Sequence, residues 1–249
     1  QYLEGRPNNG RPLFYPQIIR HRVSNNLLLG YMRKVKFSPG EYYHTLNRGN
    51  NKQSIFLDER DYVRFAFLML HFQSVIRFYN ISYSVNYFIR HRVFSKIKNE
   101  KEFLKKRQVS LLCFVLMPNH FHLLVREESE HGISNYLQRV QDGYTKYFNA
   151  KYKKSGHLFQ GPFKAVHVKD NNQLLYLSSY IHKNPKELGS GIEYSYLWSS
   201  LQDYISINRW GILLETDDIL GQFRNKEEYR DFIKTSQAKE FPKELDLDD

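Results

Sequence analysis

The stretch Leu111-Leu112-Cys113-Phe114-Val115-Leu116-Met117-Pro118-Asn119-His120-Phe121-His122-Leu123-Leu124-Val125 places two apolar runs on either side of a Pro-Asn break. Runs of this length bounded by turn residues read as buried strands, so residues 109 to 117 and 120 to 126 form either a hairpin or one interrupted strand. A strand repeats every two residues, which puts His120 and His122 on one face and Phe121 on the other. Two imidazoles on a mostly buried strand are costly unless their ring nitrogens are satisfied. A divalent metal ion would do this, and so would neighbouring carbonyls or carboxylates.

Working outward, the run from Glu41 to Asn47 is aromatic and β-branched enough for a strand, closed by a turn at Arg48-Gly49-Asn50-Asn51. Asp58 opens a helix whose buried face carries Tyr62, Phe65, Leu68, Met69 and Phe72 at spacings of three and four. A long amphipathic helix is predicted over about 133 to 153, and a strand over 163 to 168. Asp170 caps a further helix that ends near Asn184, because Pro185 disfavours helical geometry just before it. Residues 1–31 have several prolines and no sustained period, and read as an irregular extension.

The chain has 249 residues, 41% hydrophobic and 16% aromatic, enough for one main core. Its single cysteine, Cys113, lies in an apolar run and excludes an intrachain disulfide, which fits a reducing, cytoplasmic location. No run is long enough for a membrane span, and no segment resembles a signal peptide. A net charge of +11 favours an acidic partner, nucleic acid above all. Residues 224 to 249 carry six basic and eight acidic side chains, net −2, leaving +13 for residues 1 to 223. The acidic tail is therefore not the binding surface. The densest basic stretch holds Arg90, Arg92, Lys96, Lys98, Lys101, Lys105, Lys106 and Arg107, with Phe88, Phe94 and Phe103 interleaved. It reads either as a track for single-stranded nucleic acid, with rings as stacking platforms, or as a solvated helix whose phenylalanines face the core.

The helix ending near Asn184 carries Tyr180-Ile181-His182-Lys183-Asn184-Pro185. Residues four apart share a helix face, so the Tyr180 hydroxyl and the Asn184 amide project together. Tyr144, Tyr147 and Tyr176 are explained by core packing.

The segment 115–124, the earlier Asn47-Arg48-Gly49 and the run 180–185 together resemble the single-tyrosine HUH transposases, most nearly the REP-associated tyrosine transposases, over roughly residues 32 to 200. The resemblance implies an α+β fold, a ferredoxin-like antiparallel sheet with helices packed on it. It implies that His120, His122 and Asn184 bind Mg2+ or Mn2+, and that Tyr180 attacks single-stranded DNA to leave a 3′ hydroxyl and a 5′ phosphotyrosine. It also implies recognition of hairpin DNA. Candidate nucleic-acid contacts are Arg48, Arg90, Arg92, Lys96, Lys98, Lys105, Lys106 and Arg107. The expected organisation is an extension (1–31), a transposase domain (32–200) with a basic insertion at about 78–108, and a C-terminal extension with an acidic tail (201–249). A non-catalytic, domesticated hairpin-binding protein is the alternative, and a homodimer is left open.

Overall fold

The computed structural model describes residues 35–94, 97 and 99–237. The extension expected over residues 1–31, Lys96, Lys98 and the acidic end of the tail lie outside the described residues. Residues 109–127 form a hairpin: strand β2 (Val109–Met117) turns at Pro118-Asn119 into strand β3 (His120–Glu127), with Met117 opposite His120. Every residue of β2 is buried, as its unbroken apolar run requires.

Strand β1 (Tyr42–Arg48) pairs antiparallel with β3 on one side and with β4 (Lys164–Val168) on the other, giving the order β2-β3-β1-β4. This is the α+β, ferredoxin-like arrangement, with β1 and β2 joined through helices and β3 and β4 joined through another. Arg48 closes β1 opposite His120, and so belongs to the strand rather than to the turn expected there. Gly49 follows because a Cβ at that position would lie 2.1 Å from the Gln53 carbonyl oxygen. Its amide donates to the Asn119 carbonyl at 2.8 Å, tying the end of β1 to the tip of the hairpin.

One sheet face is covered by α1 (Glu59–His71) and α4 (Gly132–Tyr152). Asp58 and Asp61 close α1 with a reciprocal capping box. Phe121 points to this side, 5.0 Å from the Phe65 ring, and Phe65 meets Tyr144 of α4 at 5.1 Å. The basic segment between α1 and β2 is not a loop: it folds as α2 (Ile81–His91) and α3 (Glu100–Lys105), and α2 packs on the outside of α1.

The other face is covered by α5 (Asn171–Lys183), capped by the Asp170 carboxylate, which accepts from the Gln173 amide. Asn184 then opens a 3-10 turn (Asn184–Leu188) instead of ending the helical path, and Pro185 sits in its first turn, where a missing N–H costs nothing. Beyond it, residues 198–200 run beside β2, with the Leu116 amide donating to the Trp198 carbonyl at 2.8 Å, so part of the β2 edge is paired. A register shift between Leu111 and Cys113 marks a bulge in β2, and the Tyr204 hydroxyl of α6 (Leu201–Ile205) donates to the Leu112 carbonyl at 2.9 Å. The helices α7 (Asp217–Leu220) and α8 (Lys226–Thr235) also pack on α5. The described residues thus fall into one compact unit.

The lock between α5 and this last region is His182. Its ring nitrogens lie 2.8 Å from the Tyr229 hydroxyl of α8 and 2.8 Å from the Ser200 hydroxyl, so the neutral ring satisfies both. Burial pushes its pKa down to about 3, and that of His71 in α1 down to about 4. In the unfolded chain both titrate near the ordinary value of about 6.5. Below that pH the unfolded state binds protons that the folded state refuses, so stability present at neutral pH is lost as pH falls. Each histidine should contribute a slope of about 1.4 kcal/mol per pH unit between about pH 6 and 4. Urea unfolding at pH 7, 6 and 5 measures this, and a flat profile would show that the two rings do not govern the acid limb.

Candidate active site

The two-residue period of β3 carries His120 and His122 to the sheet face under α5, opposite to Phe121. On β1, His44 projects to the same face, and its Nε2 lies 3.0 Å from His122 Nδ1, with the rings nearly parallel. Arg48, directly across from His120, shares this face too, since residues opposite each other in an antiparallel pair point the same way. Helix α5 crosses above. The ring of Tyr180 meets His122 edge-on at 5.6 Å and His44 at 6.0 Å.

One turn further, Asn184 is fully buried, and its Oδ1 lies 3.3 Å from His120 Nε2. His120 Nδ1 lies 2.6 Å from Asn119 Oδ1, which can only accept, so Nδ1 carries a proton; in the neutral ring Nε2 then turns its lone pair toward Asn184 Oδ1, and in the protonated ring it donates to that oxygen. In the neutral ring two acceptors face each other, an arrangement that a cation stabilises. Their spacing also suits a small divalent ion, whose ligand bonds of about 2.0–2.1 Å at right angles put adjacent donors roughly 3 Å apart. Among the described residues no group of three His, Cys, Asp or Glu side chains could hold a metal. His44, His122 and Asn184 are sealed, whereas Tyr180 and His120 keep 8% and 7% of their surface exposed, so the site opens toward solvent along the Tyr180–His120 edge.

The competing tyrosines are elsewhere. Tyr144 and Tyr147 lie on α4 beneath the other sheet face, donating to the Ile55 carbonyl and the Asp61 carboxylate, and Tyr176 packs at the edge of the core. Cys113 is buried, and burial pushes its thiol up to about 12, as expected of a packing residue. Of the basic candidates among the described residues, only Arg48 shares the face of the histidines. Arg90 and Arg92 are on α2, outside α1 and therefore on the opposite side of the sheet, where Arg92 pairs with Glu59. Lys105 ends α3, Lys106 pairs with Glu102 at 2.8 Å, and Arg107 is a largely buried strut held to the Ile212 carbonyl and to Glu215. Of the interleaved rings, Phe103 is buried and Phe88 and Phe94 pack inward, so none is a stacking platform.

Sequence reasoning passed over His44. It sits in a strand that the sequence reveals, but nothing local tells that this strand lies beside β3. Asn47, which the sequence marks only as part of the Asn47-Arg48-Gly49 motif, braces β1 through its amide against Gln141 of α4 at 2.6 Å and the Gly161 carbonyl at 3.1 Å.

No curated protein matches the chain. Among solved structures, one described as a REP-associated tyrosine transposase bound to a REP hairpin is similar at 13% identity and a TM-score of 0.49, over 76% of this chain and 93% of that one. The family model described as "Transposase IS200 like" matches residues 68–184, a span that reaches from the middle of α1 through the histidine pair and Tyr180 to Asn184. Over residues 68–184 the chain is similar to the IS200-like transposases.

Proposed function

We propose that the protein is a metal-dependent nuclease and strand transferase for single-stranded, hairpin-forming DNA, acting through a phosphotyrosine. The observation that carries this is the convergence of Tyr180, His120, His122 and Asn184 on one sheet face with an open edge. The similarity of residues 68–184 to the IS200-like transposases and the net charge of +11 support DNA as the substrate.

Tyr180 is the nucleophile. Its phenolic oxygen forms a bond to the phosphorus of a phosphodiester while the bond from phosphorus to O3′ breaks; the phenol loses its proton to solvent and O3′ takes one up as a free hydroxyl. Attack of a second strand's 3′ hydroxyl on the phosphotyrosine reverses these steps and joins the strands. Mg2+ or Mn2+ bound by His120, His122 and Asn184 would supply the positive charge that offsets the charge developing on the phosphate oxygens. Arg48, on the same face, is placed to contact a neighbouring phosphate. The rigid mount of Tyr180 on α5, locked by His182, holds the nucleophile in register without help from DNA.

His44 is a positioning residue in this reading. For His122 Nε2 to present a lone pair, Nδ1 must carry the proton and donate to His44 Nε2, which fixes both tautomers and the ring angle. His44→Ala should weaken Mn2+ binding by about tenfold, measured as the metal-dependent rise in Tm without DNA, and His44→Gln, whose amide can accept in place of the imidazole, should recover part of it. Equal metal responses in all three proteins would remove His44 from the site.

The test of the function itself is a denaturing gel of labelled hairpin DNA incubated with the protein and Mg2+, Mn2+ or chelator. A metal-dependent covalent band is expected. A gel shift without a covalent band under any metal would assign the protein to binding alone.

A further inference from the structure

The insertion that carries the basic stretch presents a row of aromatic rings to solvent. In α2, Tyr83, Tyr87 and His91 recur every four residues and so stand one above the other on a single helix face. Tyr79 precedes the helix, before the left-handed Asn80, and is a further exposed ring outside the row. Tyr79 and Tyr83 are each 70% exposed and Tyr87 is 38% exposed. The rings follow one another closely: Tyr83 and Tyr87 have centroids 6.3 Å apart with planes at 24°, and Tyr87 and His91 are 4.5 Å apart at 39°. The opposite face of the same helix makes the structural contacts, with Val85 buried and Phe88 and Ile89 packed against Val63 and Phe67 of α1. Folding therefore accounts for the inner face of α2 and leaves the tyrosine row unused.

The segment that carries the row is basic. Between Asp61 and Glu100 the sequence has no acidic residue and six basic ones, Arg64, Arg77, Arg90, Arg92, Lys96 and Lys98. Of these, Arg77 and Arg90 are exposed on or beside α2, and Arg92 is exposed but paired with Glu59 of α1. Exposed rings in sequence along a positive surface suit a polyanion whose own flat groups are unpaired. An intact duplex keeps its base faces stacked inside, so it would use the charge and ignore the rings; a single strand uses both.

We propose that the Tyr83–Tyr87–His91 face of α2 is a stacking platform for single-stranded DNA, separate from the site of Tyr180. It rests on the reading that the protein acts on single-stranded DNA, and it deepens that reading by giving the unpaired flank of the substrate a place to bind. Because α2 lies outside α1, on the side of the sheet away from the histidines, the platform holds DNA at a distance from the scissile phosphate. It should change affinity and leave bond cleavage in short substrates unaltered.

The experiment measures, with the full-length chain, the affinity for a short fluorescent oligothymidylate and for a hairpin with and without single-stranded flanks. The variants are Tyr83→Ala/Tyr87→Ala and Tyr83→Phe/Tyr87→Phe. Both positions are on the surface, so circular dichroism and Tm should be unchanged. The alanine pair is expected to lose roughly tenfold or more in affinity for oligothymidylate and for the flanked hairpin, while the phenylalanine pair, which keeps the rings, stays close to wild type. Unchanged affinity in the alanine pair would overturn the proposal. So would altered oligomeric state with unaltered DNA affinity, which would assign the row to a second copy of the chain. Covalent adduct formation on the unflanked hairpin is scored in parallel. Absence of adduct in every protein, with the alanine effect intact, would refute the tyrosine chemistry and leave the platform standing. Adduct formation with no alanine effect would do the reverse.

Discussion

The Tyr180→Phe protein is expected to bind hairpin DNA as the wild type does and to form no covalent adduct with it. Phenylalanine keeps the ring that packs edge-on against His122 and His44, so the core under α5 is unchanged, and only the hydroxyl is lost. With the nucleophile gone, cleavage should fall by more than about 10⁴-fold, the scale on which deletion of a covalent nucleophile is felt. A denaturing gel of labelled hairpin with Mn2+ reads the adduct directly, and native gel mobility reads binding. Adduct persisting in Tyr180→Phe would transfer the chemistry to another residue. Tyr176, one turn earlier on the same helix and partly exposed, would then be the next to change.

The second large effect concerns metal. At an Mn2+ concentration about a hundredfold above Kd, binding to the folded state alone adds about 2.7 kcal/mol of stability. For a domain of this size that corresponds to a rise in Tm of roughly 5–10 °C. His120→Ala removes one donor from the open edge of the site and should abolish most of this rise along with adduct formation. His122→Ala should do the same and also lower Tm without metal, because His122 is fully buried and its loss strands the His44 ring nitrogen, at a cost of about 1–3 kcal/mol. The contrast between the two variants separates ligation from packing. Equal metal-dependent rises in wild type and His120→Ala would show that the ion is held elsewhere.

Much of this arrangement is legible in the amino-acid sequence. The Pro118-Asn119 break between apolar runs reads as a hairpin or an interrupted strand, and it is the turn of a hairpin. The Asp58 and Asp170 caps, the long helix after residue 132 and the one-turn spacing of Tyr180 and Asn184 all stand where local rules put them. The basic insertion is the instructive case. Its charge is visible in the sequence, but the rings interleaved with that charge turn inward, and the tyrosines that face solvent carry no local mark of exposure. A helix buries whichever face meets a neighbour, and in α2 that face is decided by Val63 and Phe67 of α1.

The same division runs through the candidate active site. That His120 and His122 share a face follows from the two-residue period of a strand, and that Tyr180 and Asn184 share one follows from the helical turn; both are backbone geometry over a few residues and are written in the chain. That His44 meets His122 across 78 residues of sequence, or that Asn184 meets His120 across 64, is written nowhere locally. Those meetings depend on β1 entering the sheet between β3 and β4 and on α5 crossing the histidine face, choices made by the burial of whole surfaces such as Phe121 against Phe65 and His182 between Ser200 and Tyr229. Local periods place side chains on faces, and only the packing of the complete chain decides which faces meet.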